Sequence, residues 1–159
     1  MPKANPALLP EEQKALAAEA VKRMNEVRQA LANPQAREDY LDFIIDYTVC
    51  EVGYKTLLES YLKSRRKART VEDLKIYPNQ VPHVLKYADI DLDKDDIKTI
   101  FNKYVGKTRK HEARGMRNVL AHEPTSKDLN ELAKRKPDYM DAMQRLISAI
   151  NNEAQTSTN

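Results

Sequence analysis

Apolar residues along this chain recur every three to four positions, the period of a helix with one buried face. Over residues 10 to about 32, Leu16, Ala20, Met24, Val27 and Leu31 fall within about 80° of one another on a helical wheel, which predicts a first helix with that stripe in the core. Asn33 then reads as an N-cap and Pro34 as a first helical position. They open a long second helix, to about residue 64, with Leu41, Ile44, Ile45, Thr48 and Val52 facing the core. Tyr40, Tyr47, Tyr54 and Tyr61 repeat along one edge of that face, drifting about 20° per step. Packing with the hydroxyls at a wet margin is the first reading of this tyrosine seam. A dimer contact and base stacking are the others.

The periodicity breaks over residues 65–92. Residues 70–73 can start a short helix that Pro78 stops, and Pro82 can start another. Asp93 or Asp95 is expected to open the next helix with its acids at the positive end. Gly106 is expected to end or kink it, and Thr108 to cap the helix after. Thr125-Ser126-Lys127-Asp128 has the form of a capping box with Asp in the Glu position. Pro137 is expected to start the last helix, with Met140, Met143, Leu146, Ile147 and Ile150 in the core. These elements predict an all-α fold, a compact bundle of four to five main helices forming one domain over residues 1–153, with 154–159 as a disordered tail.

Composition narrows the class. A chain of 159 residues with 41% apolar and 32% charged positions has room for one core and carries heavily charged faces. Three glycines leave few tight turns for a β-rich fold. Cys50 stands alone, so no internal disulfide is expected, and within a helix with no basic neighbour it reads as inert packing. There is no apolar run near the ~18 residues of a membrane span, and Met1-Pro2-Lys3 opens no signal-like stretch, so a cytoplasmic protein away from membranes is expected. A net charge of +3 says little by itself. Its distribution says more: Lys63, Arg65, Arg66, Lys67 and Arg69 form one basic run, and Lys107, Arg109, Lys110, Arg114 and Arg117 another, while acids gather at Asp89, Asp91, Asp93, Asp95 and Asp96.

The second basic run leads into Arg117-Asn118-Val119-Leu120-Ala121-His122, with Pro124 behind it. Arginine holds phosphate with a rigid fork of donors, and histidine exchanges protons near neutral pH. On an ideal helix Ala113, Met116, Val119 and Leu120 share one side. Arg117, Lys110, Arg114, Asn118, His111 and His122 spread over about 140° of the other, wide enough for a phosphate and its ribose. The plainer readings are a solvated cationic face and a histidine that merely caps a helix end.

This run resembles the Arg-x4–6-His signature of HEPN domains, helical proteins many of which are metal-independent endoribonucleases. The resemblance implies a bundle with the motif on a late helix and a homodimer in which two motifs line one cleft. It implies Arg117 and His122 as the catalytic pair and Asn118 as the polar residue after the arginine. It further implies Glu51, on the tyrosine edge of the second helix, as an acidic group behind the site. Arg114, Lys110 and His111 are expected to join Asn118 in binding RNA. The implied activity is RNA cleavage by the substrate's own 2′-hydroxyl, in a toxin or antiviral defence setting with a possible antitoxin partner. One departure stands out. The toxin subgroup paired with nucleotidyltransferase antitoxins carries Tyr two residues after the His, where this chain has Pro124. The alternative is a non-catalytic helical dimer, an RNA-binding or protein-interaction adaptor.

No metal or other cofactor is expected. His111 and His122 would stand about 16 Å apart along one helix, and no Cys or His pair has zinc-site spacing. Asp91 to Asp95 hints at a calcium loop, but Asp96 and Asn102 occupy the positions that need Gly and Glu.

Overall fold

The computed structural model describes residues 8–65 and 74–156, and these form six helices with no β-strand among them: α1 (Pro10–Ala30), α2 (Pro34–Ser64), α3 (Val81–Tyr87), α4 (Lys94–Phe101), α5 (Ala113–His122) and α6 (Ser126–Thr156). The expected all-α class is observed. The expected helix start at 70–73, and Arg66, Lys67 and Arg69 of the first basic run, lie outside the described residues.

Local chemistry explains most boundaries. The Asn33 side chain accepts from the backbone N–H groups of Gln35 (2.9 Å) and Ala36 (3.2 Å), with Pro34 first in α2. Pro82 lies in the first turn of α3, and Asp93 caps α4 by accepting from the Asp95 N–H at 2.7 Å. The capping box opens α6: the Thr125 N–H donates to Asp128 Oδ2 (3.1 Å) and the Asp128 N–H to Thr125 Oγ1 (3.2 Å).

That box also corrects the last helix. α6 begins there, runs through Pro137 and reaches Thr156, so Pro137 starts nothing and residues 154–156 are helical rather than tail. An internal proline removes one backbone bond. Contacts on either side hold the helix through it, Lys136 to α2 and the buried Tyr139 to the core.

α2 and α6 form the main contact of the fold and run parallel. Lys136 Nζ donates to Asp39 Oδ1 and Asp42 Oδ2 (both 2.9 Å), Gln144 Nε2 to Asp46 Oδ2 (2.8 Å), and Ile150 packs on Gly53. The core face of α2 is therefore Phe43, Tyr47, Cys50, Tyr54, Leu58 and Tyr61. This overturns the expected face: Leu41, Ile45, Thr48 and Val52 are exposed and only Ile44 is half-buried. Of the tyrosine seam, Tyr47, Tyr54 and Tyr61 are core and Tyr40 is half-buried; the Tyr54 hydroxyl is buried and has no hydrogen-bond partner among the described residues, so it is not at a wet margin. α2 has two apolar faces about 180° apart, and periodicity cannot say which one α6 covers. Cys50 is buried as expected, its thiol donating to the Met143 carbonyl at 3.5 Å, and burial, with Asp46 beside it, pushes it up to about 12.

The expected core stripe of α1 is also overturned. No α1 residue is buried; only Val27 and Ala30, with Leu31 after them, are half-buried at its base. Arg23 lies 3.8 Å from Glu123, which sets α1 along the corner between α5 and α6.

α5 is fastened at its start. Glu112, the residue before it, is buried and paired with Arg135 of α6, whose guanidinium also lies over the Tyr139 ring at 5.2 Å. The Tyr139 hydroxyl donates to the His111 carbonyl at 2.5 Å. Burial raises the Glu112 pKa, and Arg135 opposes that shift. Removing the cation is therefore worse than removing the anion. Arg135→Ala should cost roughly 3 kcal/mol by stranding a buried carboxylate. Glu112→Gln should cost under about 1 kcal/mol, because Arg135 keeps solvent and Asp138. A carboxyl raised on folding binds its proton more readily in the folded state, so its burial cost is felt above its pKa and fades as pH falls through it. Urea unfolding should accordingly show the Arg135→Ala deficit shrinking in acid; equal losses for the two variants at neutral pH would contradict the asymmetry.

Candidate functional site

The Arg117 to His122 run lies on α5, as its pattern requires, but the helix is shorter at its start than expected. Residues 103–112 form a loop closed on itself: the Val105 N–H donates to the Lys110 carbonyl (2.9 Å), the Glu112 N–H to the Lys103 carbonyl (3.1 Å), and Tyr104 bridges His111. Gly106, at φ 54°, and Thr108, whose hydroxyl donates to the Val105 carbonyl at 2.6 Å, make its turn. Thr108 is thus no helix cap and Gly106 does not end α4, which stops at Phe101. Lys110 and His111 consequently leave the motif helix. Lys110 is exposed on the loop. His111 faces Tyr104 (rings 5.4 Å apart) and Glu131 of α6, which accepts its backbone N–H at 2.9 Å and lies 3.4 Å from Nδ1.

What remains on α5 divides cleanly. Ala113, Gly115, Met116 and Leu120 are buried, while Arg114, Arg117 and Asn118 are half-buried and face a pocket of about 220 Å³ against α2. Tyr47, Glu51 and Lys55 of α2 form its far wall, and Leu74 to Tyr77 cross one end. Glu51 thus lines the same pocket as Arg117 and pairs with Lys55 at 2.7 Å. It is the only carboxylate among the described lining residues, against Arg114, Arg117, Lys55 and Lys75. Neither Arg114 nor Arg117 has an ion pair among the described residues, and partial burial without a counter-ion makes both sites for an anion. The Tyr47 hydroxyl registers this field: burial and then Glu51 raise its pKa, and Arg114 and Arg117 oppose them.

His122 stays outside. It is exposed at the carboxyl end of α5 and does not line the pocket. It lies five positions after Arg117, about 7.5 Å of rise and 140° of turn, so within one chain the two side chains diverge. Sequence reasoning missed Tyr47, Lys55, Lys75 and Tyr77 as lining residues, because only the packing of α2 and the 74–77 segment brings them to α5. It also missed Gly115. A Cβ there would lie 2.0 Å from the Lys103 carbonyl oxygen, so the α5 backbone sits closer to the loop than any side chain allows. A glycine inside an otherwise good helix was the available signal.

A larger cleft, about 640 Å³ between α3 and α4 over Leu85, Ile90, Leu92 and Ile97, holds none of these residues. Among the described residues no group of His, Cys, Asp and Glu is placed to hold a metal ion, and no helix is long and apolar enough to cross a membrane. No protein-family model, curated protein or solved structure matches the chain.

Proposed function

We propose that this protein is a metal-independent endoribonuclease of HEPN type, with the bundle and paired motifs that the family resemblance implies. The observation that supports this reading most is the electropositive pocket in which Arg114, Arg117 and Asn118 converge, half-buried, opposite Glu51. Arg117 holds the scissile phosphate and stabilises charge building on its oxygens. Arg114 and Asn118 hold the neighbouring backbone. The 2′-hydroxyl attacks the adjacent phosphorus, its proton passes to a base, and the P–O5′ bond breaks as the leaving oxygen gains a proton. His122 serves in this proton traffic, and a homodimer supplies a second copy of it. No metal is required, because nucleophile and phosphate belong to the same RNA strand. A role in toxin or defence systems, alongside an antitoxin partner, belongs to the same proposal.

A non-catalytic RNA-binding or protein-interaction adaptor is the second reading, favoured by the position of His122 outside the pocket. One assay separates them: the full chain incubated with end-labelled RNA, and with DNA of the same sequence, with and without EDTA. The nuclease reading expects cleavage that survives EDTA, leaves 2′,3′-cyclic phosphate ends and spares DNA. Activity abolished by chelation and restored by magnesium would overturn it. Salt-sensitive RNA binding without cleavage would establish the adaptor instead.

A further inference from the structure

Several of the exposed apolar residues fall on two helical stripes. α1 carries Leu16 (59% exposed) and Met24 (53%), with Leu9 in line just before it. On α2, Leu41, Ile45 (58%), Val49 and Val52 (62%) form a second stripe opposite the core face. Each runs about 15–25 Å along its helix, and a contiguous apolar stripe of that length marks an interface. The chain does not close the two on each other, because the Arg23–Glu123 contact sets α1 along the α5–α6 corner and leaves Ile45, Val49 and Val52 bare.

We infer that the occupant of both stripes is a second copy of this chain, with α1 of each protomer seated on the outer face of α2 of the other. Three observations converge on this occupant. First, α1 is a 21-residue helix with no buried residue, and a helix of that kind is marginal in water without a surface to pack on. Second, its charges are four acids (Glu11, Glu12, Glu19, Glu26) and four bases (Lys14, Lys22, Arg23, Arg28). A neutral, mixed-sign flank suits another protein helix, not an anionic membrane or nucleic acid. Third, one chain holds both unpartnered faces, so a two-fold exchange covers them together and closes the assembly. Each protomer would bury two helix footprints of about 30 Å by 10 Å. That is about 600 Å², near the roughly 800 Å² a side of a stable complex.

The exchange also places the partner beside the arginine pocket. On the α2 wheel, Glu51 and Lys55 of the pocket wall lie next to the Thr48–Val52 edge of the outer stripe, within about 60°. A partner helix on that stripe becomes a neighbouring wall, and the end of its own α5, with His122, lies beside the interface through Arg23 and Glu123. The inference concerns assembly and stands whether or not the pocket cleaves RNA.

Sedimentation equilibrium of the full chain at micromolar concentration tests it. The expected mass is twice 18.3 kDa. Leu16→Glu and Ile45→Lys should each sediment as monomers, with association weakened at least about 100-fold because each change occurs twice. Both positions are exposed, so the cooperative melt of the core should persist; should either chain fail to fold, Met24→Glu or Val52→Lys takes its place. Mixing the two variants should restore a dimer. The mixed pair keeps one contact, between the unaltered α1 of one chain and the unaltered α2 of the other, that neither homodimer has. A wild-type monomer at about 100 μM, or dimers that survive either substitution, would overturn the inference. Failure of the mixture to associate would do so too, since it would mean like faces pair with like.

Discussion

Replacing Gly115 with alanine should destabilise the protein by about 3 kcal/mol and displace the motif helix. Two effects oppose each other. In a free helix the change would help by about 1 kcal/mol, since glycine is a poor helix former. Here the added methyl would stand 2.0 Å from the Lys103 carbonyl oxygen and 3.0 Å from its carbon, both backbone atoms that cannot swing aside. Overlap on that scale requires α5 or the 103–112 loop to move by about 1 Å, and the loop is tied by the Glu112 N–H bond to that same carbonyl. The clash wins. A displacement of about 1 Å in α5 would also shift Arg114 and Arg117 against Glu51, enough to cost on the order of 100-fold in any activity that needs their alignment. Urea denaturation measures the first effect and RNA cleavage the second. An alanine variant as stable as the parent would contradict this expectation.

On the proposed nuclease reading, Arg117→Ala should reduce RNA cleavage by about 10²–10³-fold with little change in melting temperature, because there its guanidinium would stabilise charge, and it lies on no apolar face. Arg117→Lys should recover only part of that loss, since an ammonium lacks the planar fork. His122→Ala should lose about 10²–10⁴-fold as a proton carrier and leave RNA binding intact, being outside the pocket. Glu51→Gln should act in the opposite sense on binding: it removes the only carboxylate among the described lining residues, so RNA affinity should rise at low salt. Cleavage rates and salt-dependent binding curves on the four variants check the set. Unchanged cleavage for Arg117→Ala and His122→Ala alike would remove the motif from the chemistry, and weaker binding for Glu51→Gln would show that the pocket does not receive an anion.

Boundaries made by local chemistry were legible in advance. Asn33 with Pro34, Thr125 with Asp128, Asp93 and Pro82 each satisfy or dispense with backbone donors at a helix start, and that requirement is met within three or four residues of chain. The Arg117–Asn118 pair was legible because a helix puts both on one side whatever it packs against, and the edge position of Glu51 followed from the same geometry. Pro137 misled because its local rule was outweighed from a distance, by Lys136 on Asp39 and Asp42 and by the buried Tyr139.

The sequence by itself determined that the chain is helical, where most helices begin, and which polar side chains share a turn; these follow from torsional preferences and hydrogen bonds between near neighbours. Only the tertiary structure decided which of two apolar faces of α2 is core, that α1 lies bare, and that Lys110 and His111 fold away into a loop. The same holds for the pocket, where α2 meets α5 and Glu51 meets Arg114 and Arg117. Burial is a property of pairs of surfaces. A periodic stripe says that a helix can be covered, and the surface that covers it lies elsewhere in the chain: α6 for the tyrosines of α2 and, on the inference above, a second molecule for the aliphatic residues on its other side.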